Sequence, residues 1–199
     1  MIMCVLMKKT FSTDGACGYG DYGRTVNDGL VAVAASSKLY RNGAGCGACY
    51  KVKCKKVECN QDGVVVVVTD YVGVGNETDL VLSANAYTKM AQPGGEKVLV
   101  AYGKVDVEYE RVSCQYPGKT LMLKVLEDSR YNSYLSMQFL YQAGRADINA
   151  VEVFEGPLTV RFFLDGDHDN VKARWVLMRN VVPAFWEPGA SYDTEIQLD

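Results

Sequence analysis

The sequence predicts an all-β protein in two parts, a crosslinked and glycine-rich first domain and a thiol-free second one. Three observations carry this. Every cysteine lies before residue 115, and Cys17, Cys46, Cys49, Cys54, Cys59 and Cys114 form a dense set; thiols at such density are oxidised into crosslinks outside the cell or hold a metal inside it. A turn-type pair, Pro117-Gly118, follows the last of them,. Short runs of β-branched and aromatic residues fill most of the remaining chain, and 199 residues suffice to bury one large core or two small ones,. The division falls near residue 117, giving domains 10–117 and 118–199, the second of a size common for a β-sandwich,.

Taken in order, the apolar run Met1 to Met7 precedes Lys8 and Lys9. A secretory leader carries its positive charge first and has a longer apolar core, so no intact signal peptide is visible. Gly18-Tyr19-Gly20-Asp21-Tyr22-Gly23 has the letters of a dinucleotide fingerprint, but Thr13 and Asp14, not a hydrophobic strand, lead towards it. Its glycines read instead as turn formers around Cys17.

Strands are expected over Cys49 to Lys53, over the valine run Val64 to Val68 continuing to Thr69, and over Lys104 to Val112. The valine run does not alternate, which predicts burial on both faces. It is also too short to cross a bilayer, since Thr69 and Asp70 follow at once,. One helix is expected from Ser83 to about Ala91, capped by the serine, favoured by alanines and stopped by Pro93 and two glycines,.

After the break, strands are expected over 120–127, 134–141, 148–154, 158–164 and 175–182. Leu135, Met137, Phe139 and Tyr141 alternate with Tyr134, Ser136 and Gln138, so the first set faces a core and Tyr134 faces water,. The only histidine, His168, sits among aspartates that lack the spacing and closing glutamate of a calcium loop, and the run reads as a solvated hairpin tip,.

The net charge of −3 provides no basic field to gather phosphate backbones, so nucleic acid is not an expected partner, nor is a membrane,. Thirteen tyrosines against six phenylalanines suit wet surfaces that bind flat, hydroxylated ligands,. Cys46-x2-Cys49-x4-Cys54-x4-Cys59 also has the spacing of a zinc knuckle, and Tyr50 with the nearby lysines would suit single-stranded nucleic acid,. That alternative leaves Cys17 and Cys114 without a role. It also needs a compact loop where Tyr50, Val52 and Cys54 alternate with Lys51, Lys53 and Lys55 as a strand does,. No metal or cofactor is therefore expected.

Five segments together resemble the plant expansin superfamily, most closely its expansin-like B branch: Gly15 to Gly20, Asn42 to Cys54, Val67 to Asp70, Thr78 to Ser83, and Glu110 to Cys114. The similarity continues to Pro183-Ala184-Phe185-Trp186 and Tyr192-Asp193-Thr194. The resemblance implies a double-psi β-barrel related to family 45 glycoside hydrolases, followed by an antiparallel β-sandwich that binds polysaccharide. It further implies disulfides pairing Cys17 with Cys46, Cys49 with Cys114 and Cys54 with Cys59, leaving Cys4 over. The implied function is a secreted, monomeric cell-wall protein that binds cellulose, xyloglucan or arabinoxylan and loosens polymer contacts without cutting them.

Tyr19, Thr69, Asp70 and Asp79 are the implied polysaccharide-binding residues of the barrel, with Tyr131 and Tyr134 those of the sandwich. Asp79 stands where the related hydrolases carry their general acid. Their catalytic base lies in a segment without a counterpart here, so Asp79 is expected to bind sugar, with a weak glycosidase using Asp79 and Asp70 as the alternative. The chain departs from the family in three places. Only Thr10 to Asp14 precede the Gly15-Ala16-Cys17 motif, so the threonine and tyrosine of the family's first strand are missing. Thr78 and Leu80 flank Asp79 where histidine and phenylalanine are usual, and Phe154-Glu155 joins Gly156-Pro157 directly, omitting strand material and a platform tryptophan. A shortened sandwich with weakened cellulose binding follows. Asn76-Glu77-Thr78 is a glycosylation sequon beside the site,.

Overall fold

The computed structural model describes residues 3–7, 15–73, 78–154, 157–165 and 172–198. The sequon asparagine Asn76, the 155–156 junction and His168 lie outside them. The chain divides into two compact units, Met1–Val112 and Ser113–Asp199.

Six strands build the first unit: β1 (Met3–Leu6), β2 (Val31–Ala34), β3 (Cys49–Cys54), β4 (Val64–Tyr71), β5 (Thr78–Leu82) and β6 (Lys104–Val112). They close into a barrel in the order β1-β5-β2-β4-β3-β6. Two of the pairings are parallel, β1 with β5 (Cys4 opposite Leu80) and β2 with β4 (Val31 opposite Val67), and the rest are antiparallel. This is the double-psi arrangement.

Met3–Leu6 of the apolar N-terminal run are thus a barrel strand, which weighing that run against a signal peptide did not foresee. Its cysteine explains the odd thiol. Cys4 is fully buried in the barrel core, where desolvation pushes its pKa up to about 12, so it packs as a protonated apolar side chain,.

The valine run forms β4 as expected, but not with both faces covered. Val64, Val66 and Val68 enter the core while Val65 remains 39% exposed, so the strand alternates at its start. The expected helix appears as α3 (Ala84–Lys89), with the Ser83 hydroxyl accepting from the Ala86 amide at 3.1 Å. Three further helices were not expected: α1 (Gly20–Thr25), α2 (Ser37–Tyr40) and α4 (Glu96–Tyr102). None of the described helices is long and apolar enough to cross a membrane.

The second unit holds two three-stranded antiparallel sheets. One has the order β11-β10-β9, from β9 (Asp147–Phe154), β10 (Leu158–Asp165) and β11 (Arg174–Val182). The other has the order β12-β7-β8, from β7 (Met122–Val125), β8 (Met137–Leu140) and β12 (Ser191–Asp193). Leu123, Val125, Val160, Phe162, Leu164 and Trp186 are among the buried residues of its core. Leu135, Met137 and Phe139 pack against that core as their alternation requires. Tyr141 does not continue the pattern, because its φ of 57° turns the chain out of the strand and leaves Leu140 buried,.

Disulfides join Cys17 to Cys46 and Cys54 to Cys59, with Cα separations of 5.7 and 5.8 Å, and Cys49 and Cys114 are oxidised as well. Sulfurs bonded in this way cannot surround one zinc ion, which overturns the knuckle alternative. Among the described residues no cluster of histidine, cysteine and carboxylate has metal-binding geometry.

Candidate polysaccharide-binding site

In the barrel the site begins with the end of β4. Thr69 and Asp70 line a shallow pocket together with Gly15, Tyr19, Gly20, Gly23 and Arg24. Three of the four expected barrel residues therefore converge. The Thr69 hydroxyl is buried and has no hydrogen-bond partner among the described residues, so a ligand hydroxyl or a water entering here would complete it.

Asp70 has a different surrounding. Its Oδ1 accepts the amides of Ala16 at 2.6 Å and Tyr71 at 2.7 Å, which ties the Gly15–Cys17 turn to the strand. A Cβ at position 15 would lie 2.5 Å from the Asp70 carboxyl carbon, so any side chain there would push the carboxylate away from the amides it accepts. Tyr40 stacks on Tyr71 with ring centroids 4.4 Å apart, and its hydroxyl donates to the Ala16 carbonyl. Replacing Asp70 with alanine is expected to free the turn. The midpoint of thermal unfolding should fall by several degrees, and a protease should cleave near Gly18 sooner than in the parent protein.

Asp79 sits apart from that pocket, on β5. Its Oδ2 accepts the Tyr109 hydroxyl at 2.9 Å, and Tyr109 meets Tyr50 edge to face at 5.7 Å, with the Arg111 guanidinium 5.5 Å from the Tyr50 ring. Burial and then the hydrogen bond to the Asp79 carboxylate raise the Tyr109 pKa, which keeps the phenol protonated and donating,. Strand β2 runs between β4 and β5, with Asp70 registered on Val33 and the Asp79 carbonyl accepting the Ala35 amide. The backbones bearing the two carboxyls are thus two strand spacings apart, roughly 10 Å.

In the second unit Tyr131 and Tyr134 flank a turn, and Tyr134 is 52% exposed, in keeping with the alternation of its segment. Tyr131 donates to the Ala184 carbonyl at 3.1 Å, stacks with Phe185 at 6.1 Å and meets the buried Trp186 edge on at 5.4 Å. Phe185 therefore joins the ring surface, and Trp186 anchors it from the core. Sequence reading missed Arg24, Tyr71, Tyr109 and Phe185. The signals available were the two-residue period that Tyr109 shares with buried Val105 and Val107, and the place of Phe185 in the Pro183-Ala184-Phe185-Trp186 segment.

Comparison with known proteins agrees with this architecture. A double-psi barrel family model (DPBB_1), described as lytic transglycolase, matches residues 32–109. The chain is 41% identical over 209 residues to Expansin-like B1 of Arabidopsis thaliana, covering 92% of this chain and 82% of that protein. Expansin-like B1 of Oryza sativa is 37% identical over 211 residues, covering 93% and 81%, and Expansin-like A1 of Arabidopsis thaliana 33% over 214, covering 94% and 79%. Each alignment is longer than the 199-residue chain, so the relatives carry stretches that this protein lacks. Among solved structures, a mutant Clavibacter michiganensis expansin in complex with cellohexaose superposes with a TM-score of 0.70 at 20% identity, covering 98% of this chain and 95% of that one.

Proposed function

This chain belongs to the expansin superfamily, in its expansin-like B branch, and from that premise we propose that it binds plant cell-wall polysaccharide and loosens contacts between polymers without hydrolysing them. The observation that carries the reading is the orphaned, buried Thr69 hydroxyl in the pocket with Tyr19, Arg24 and Asp70. The pocket has room for about one water-sized group, so a single hydroxyl projecting from a sugar chain is what would reach it,. The exposed rings of Tyr131, Tyr134 and Phe185 add a surface on which pyranose C–H faces pack,. The disulfides and the sequon at Asn76 support secretion to the wall,.

The geometry argues against cutting. An inverting glycosidase needs a protonated carboxyl and a carboxylate base about 6.5 to 9.5 Å apart, the latter free to activate water. Asp70 spends one oxygen on two backbone amides, and one oxygen of Asp79 is taken up in accepting the Tyr109 hydroxyl hydrogen bond. Both are better suited to hold sugar hydroxyls than to form a working pair.

Thr69→Val separates binding from folding. Removing a buried unpaired hydroxyl should leave the melting midpoint unchanged or slightly higher, while affinity for arabinoxylan or xyloglucan falls by roughly fivefold or more. An unchanged affinity would remove the support this residue gives. Wall-extension assays run beside reducing-end analysis address the reaction itself. Extension without new reducing ends is expected, whereas sugar release abolished by Asp79→Asn would establish the glycosidase alternative.

A further inference from the structure

The outer face of the β11-β10-β9 sheet carries an aromatic surface that none of the residues above belongs to. Strand alternation and register place Phe154 of β9, Phe163 of β10 and Trp175 of β11 on this one face. Phe163 is directly opposite Trp175, with ring centroids 5.4 Å apart, and Phe154 is opposite Thr159,. Trp175 is 44% exposed and Phe154 43%, and Leu177 beside them is also exposed. A sandwich ordinarily fills its outer face with polar side chains, so rings contributed by three adjacent strands mark a contact surface.

Between the rings lies Arg161. Its guanidinium sits 4.6 Å from the Trp175 ring centroid and 5.5 Å from that of Phe154. Its Nε–H donates to Glu152 at 2.5 Å, and both side chains of that ion pair are close to half exposed. The remaining guanidinium donors are thereby left for a ligand, held in a plane between two rings. Phe163 and Trp175 are tilted by 57°, so they do not form one plane; an exposed ring beside an ordered donor fork nevertheless matches a pyranose, whose C–H face packs on one ring while its equatorial oxygens accept hydrogen bonds. A protein partner would favour an apolar anchor seated away from charge, whereas the Arg161–Glu152 pair lies among these rings.

We propose that this face is a second pyranose-binding surface, centred on Trp175, Arg161 and Phe154, and distinct from the Tyr131–Tyr134 surface of the same unit. It extends the polysaccharide-binding reading by giving the second unit two ring surfaces instead of one, so that a single molecule can hold more than one stretch of polymer. The oxygens received by Arg161 come from hydroxyls in a neutral chain or from carboxylates in a uronate chain.

The chain has two tryptophans, and Trp186 is buried, so a ligand at this face reports through Trp175 emission. Full-length protein carrying Tyr134→Ala, which disables the other surface, is titrated separately with xylo-oligosaccharide, cello-oligosaccharide and oligogalacturonate. A saturable blue shift or quench with any of them, absent in the Tyr134→Ala/Trp175→Phe double variant, is the expected result. Retention on the matching insoluble polymer should fall about tenfold in Phe154→Ala. Arg161→Gln assigns the ligand: loss confined to oligogalacturonate identifies a uronate chain, and loss with the neutral oligosaccharides a neutral one. No emission change with any of the three overturns the proposal, as does a dimer in sedimentation that Trp175→Ala dissociates while polymer retention stays intact. The Thr69→Val result stands independently of all these outcomes, so failure here leaves the barrel reading separately tested.

Discussion

Alanine in place of Gly45 is expected to unfold the first unit at a temperature on the order of 10 °C lower than the parent, a loss of about 3 kcal/mol or more. A Cβ at this position would fall within the van der Waals envelope of the Leu39 carbonyl oxygen, and close to the Tyr40 carbonyl. Neither neighbour is a flexible side chain able to swing aside. Leu39 is buried in α2, the Gly45 amide donates to the Tyr40 carbonyl at 2.9 Å, and Cys46 next in line is bonded to Cys17. The backbone would have to move against three restraints at once. Circular dichroism melts of the variant check this directly, and a midpoint within a degree or two of the parent would mean that the segment yields far more readily than its contacts imply.

Removing the Cys17–Cys46 disulfide should be comparably severe. The bond closes a loop with a sequence separation of 29, which on the chain-entropy model restrains the unfolded state by roughly 3 to 4 kcal/mol, against about 2 kcal/mol for the Cys54–Cys59 loop with its separation of 5,. The paired variant Cys17→Ala/Cys46→Ala is therefore expected to unfold at a clearly lower denaturant concentration than Cys54→Ala/Cys59→Ala. The native turn has other tethers as well, through the Asp70 carboxylate and the Tyr40 hydroxyl. These limit the local disorder in the folded state but do nothing for the entropy of the open chain. The opposite ranking of the two variants would contradict the loop-length account.

How much of this could be read in the sequence depends on how local each signal is. Long patterned strands were legible, because β3, β4 and β6 carry enough alternation or β-branched residues to declare themselves, and the Ser83 cap marked α3,. Strands β1 and β2 were not, since each is only four residues long and a short apolar run has no period to read. Strand β5 was missed although Thr78, Leu80 and Leu82 are buried while Asp79 and Val81 are less so, a two-residue period hidden inside a motif valued for its aspartate.

Site residues divide in the same way. Tyr19, Thr69 and Asp70 were named from motifs, and the fold gathers them at one pocket. The Tyr109 partner of Asp79 lies 30 residues away in sequence, and the neighbours of Arg161 come from strands on both sides of it. Such contacts are decided by register, which no local stretch encodes.

The placement of β1 has a consequence for biosynthesis. Met3 pairs with Asp106 and Val5 with Lys104, so the barrel closes by joining the first strand made to the last. A nascent chain leaving the ribosome or a translocon cannot complete this seam until nearly the whole unit has emerged, and contacts of such long sequence separation form slowly. Throughout that interval the Cys4 thiol is uncovered among cysteines seeking partners. Closing the seam sets Cys4 opposite Val105 in the core, where its thiol is out of reach of exchange with the six cysteines that are bonded.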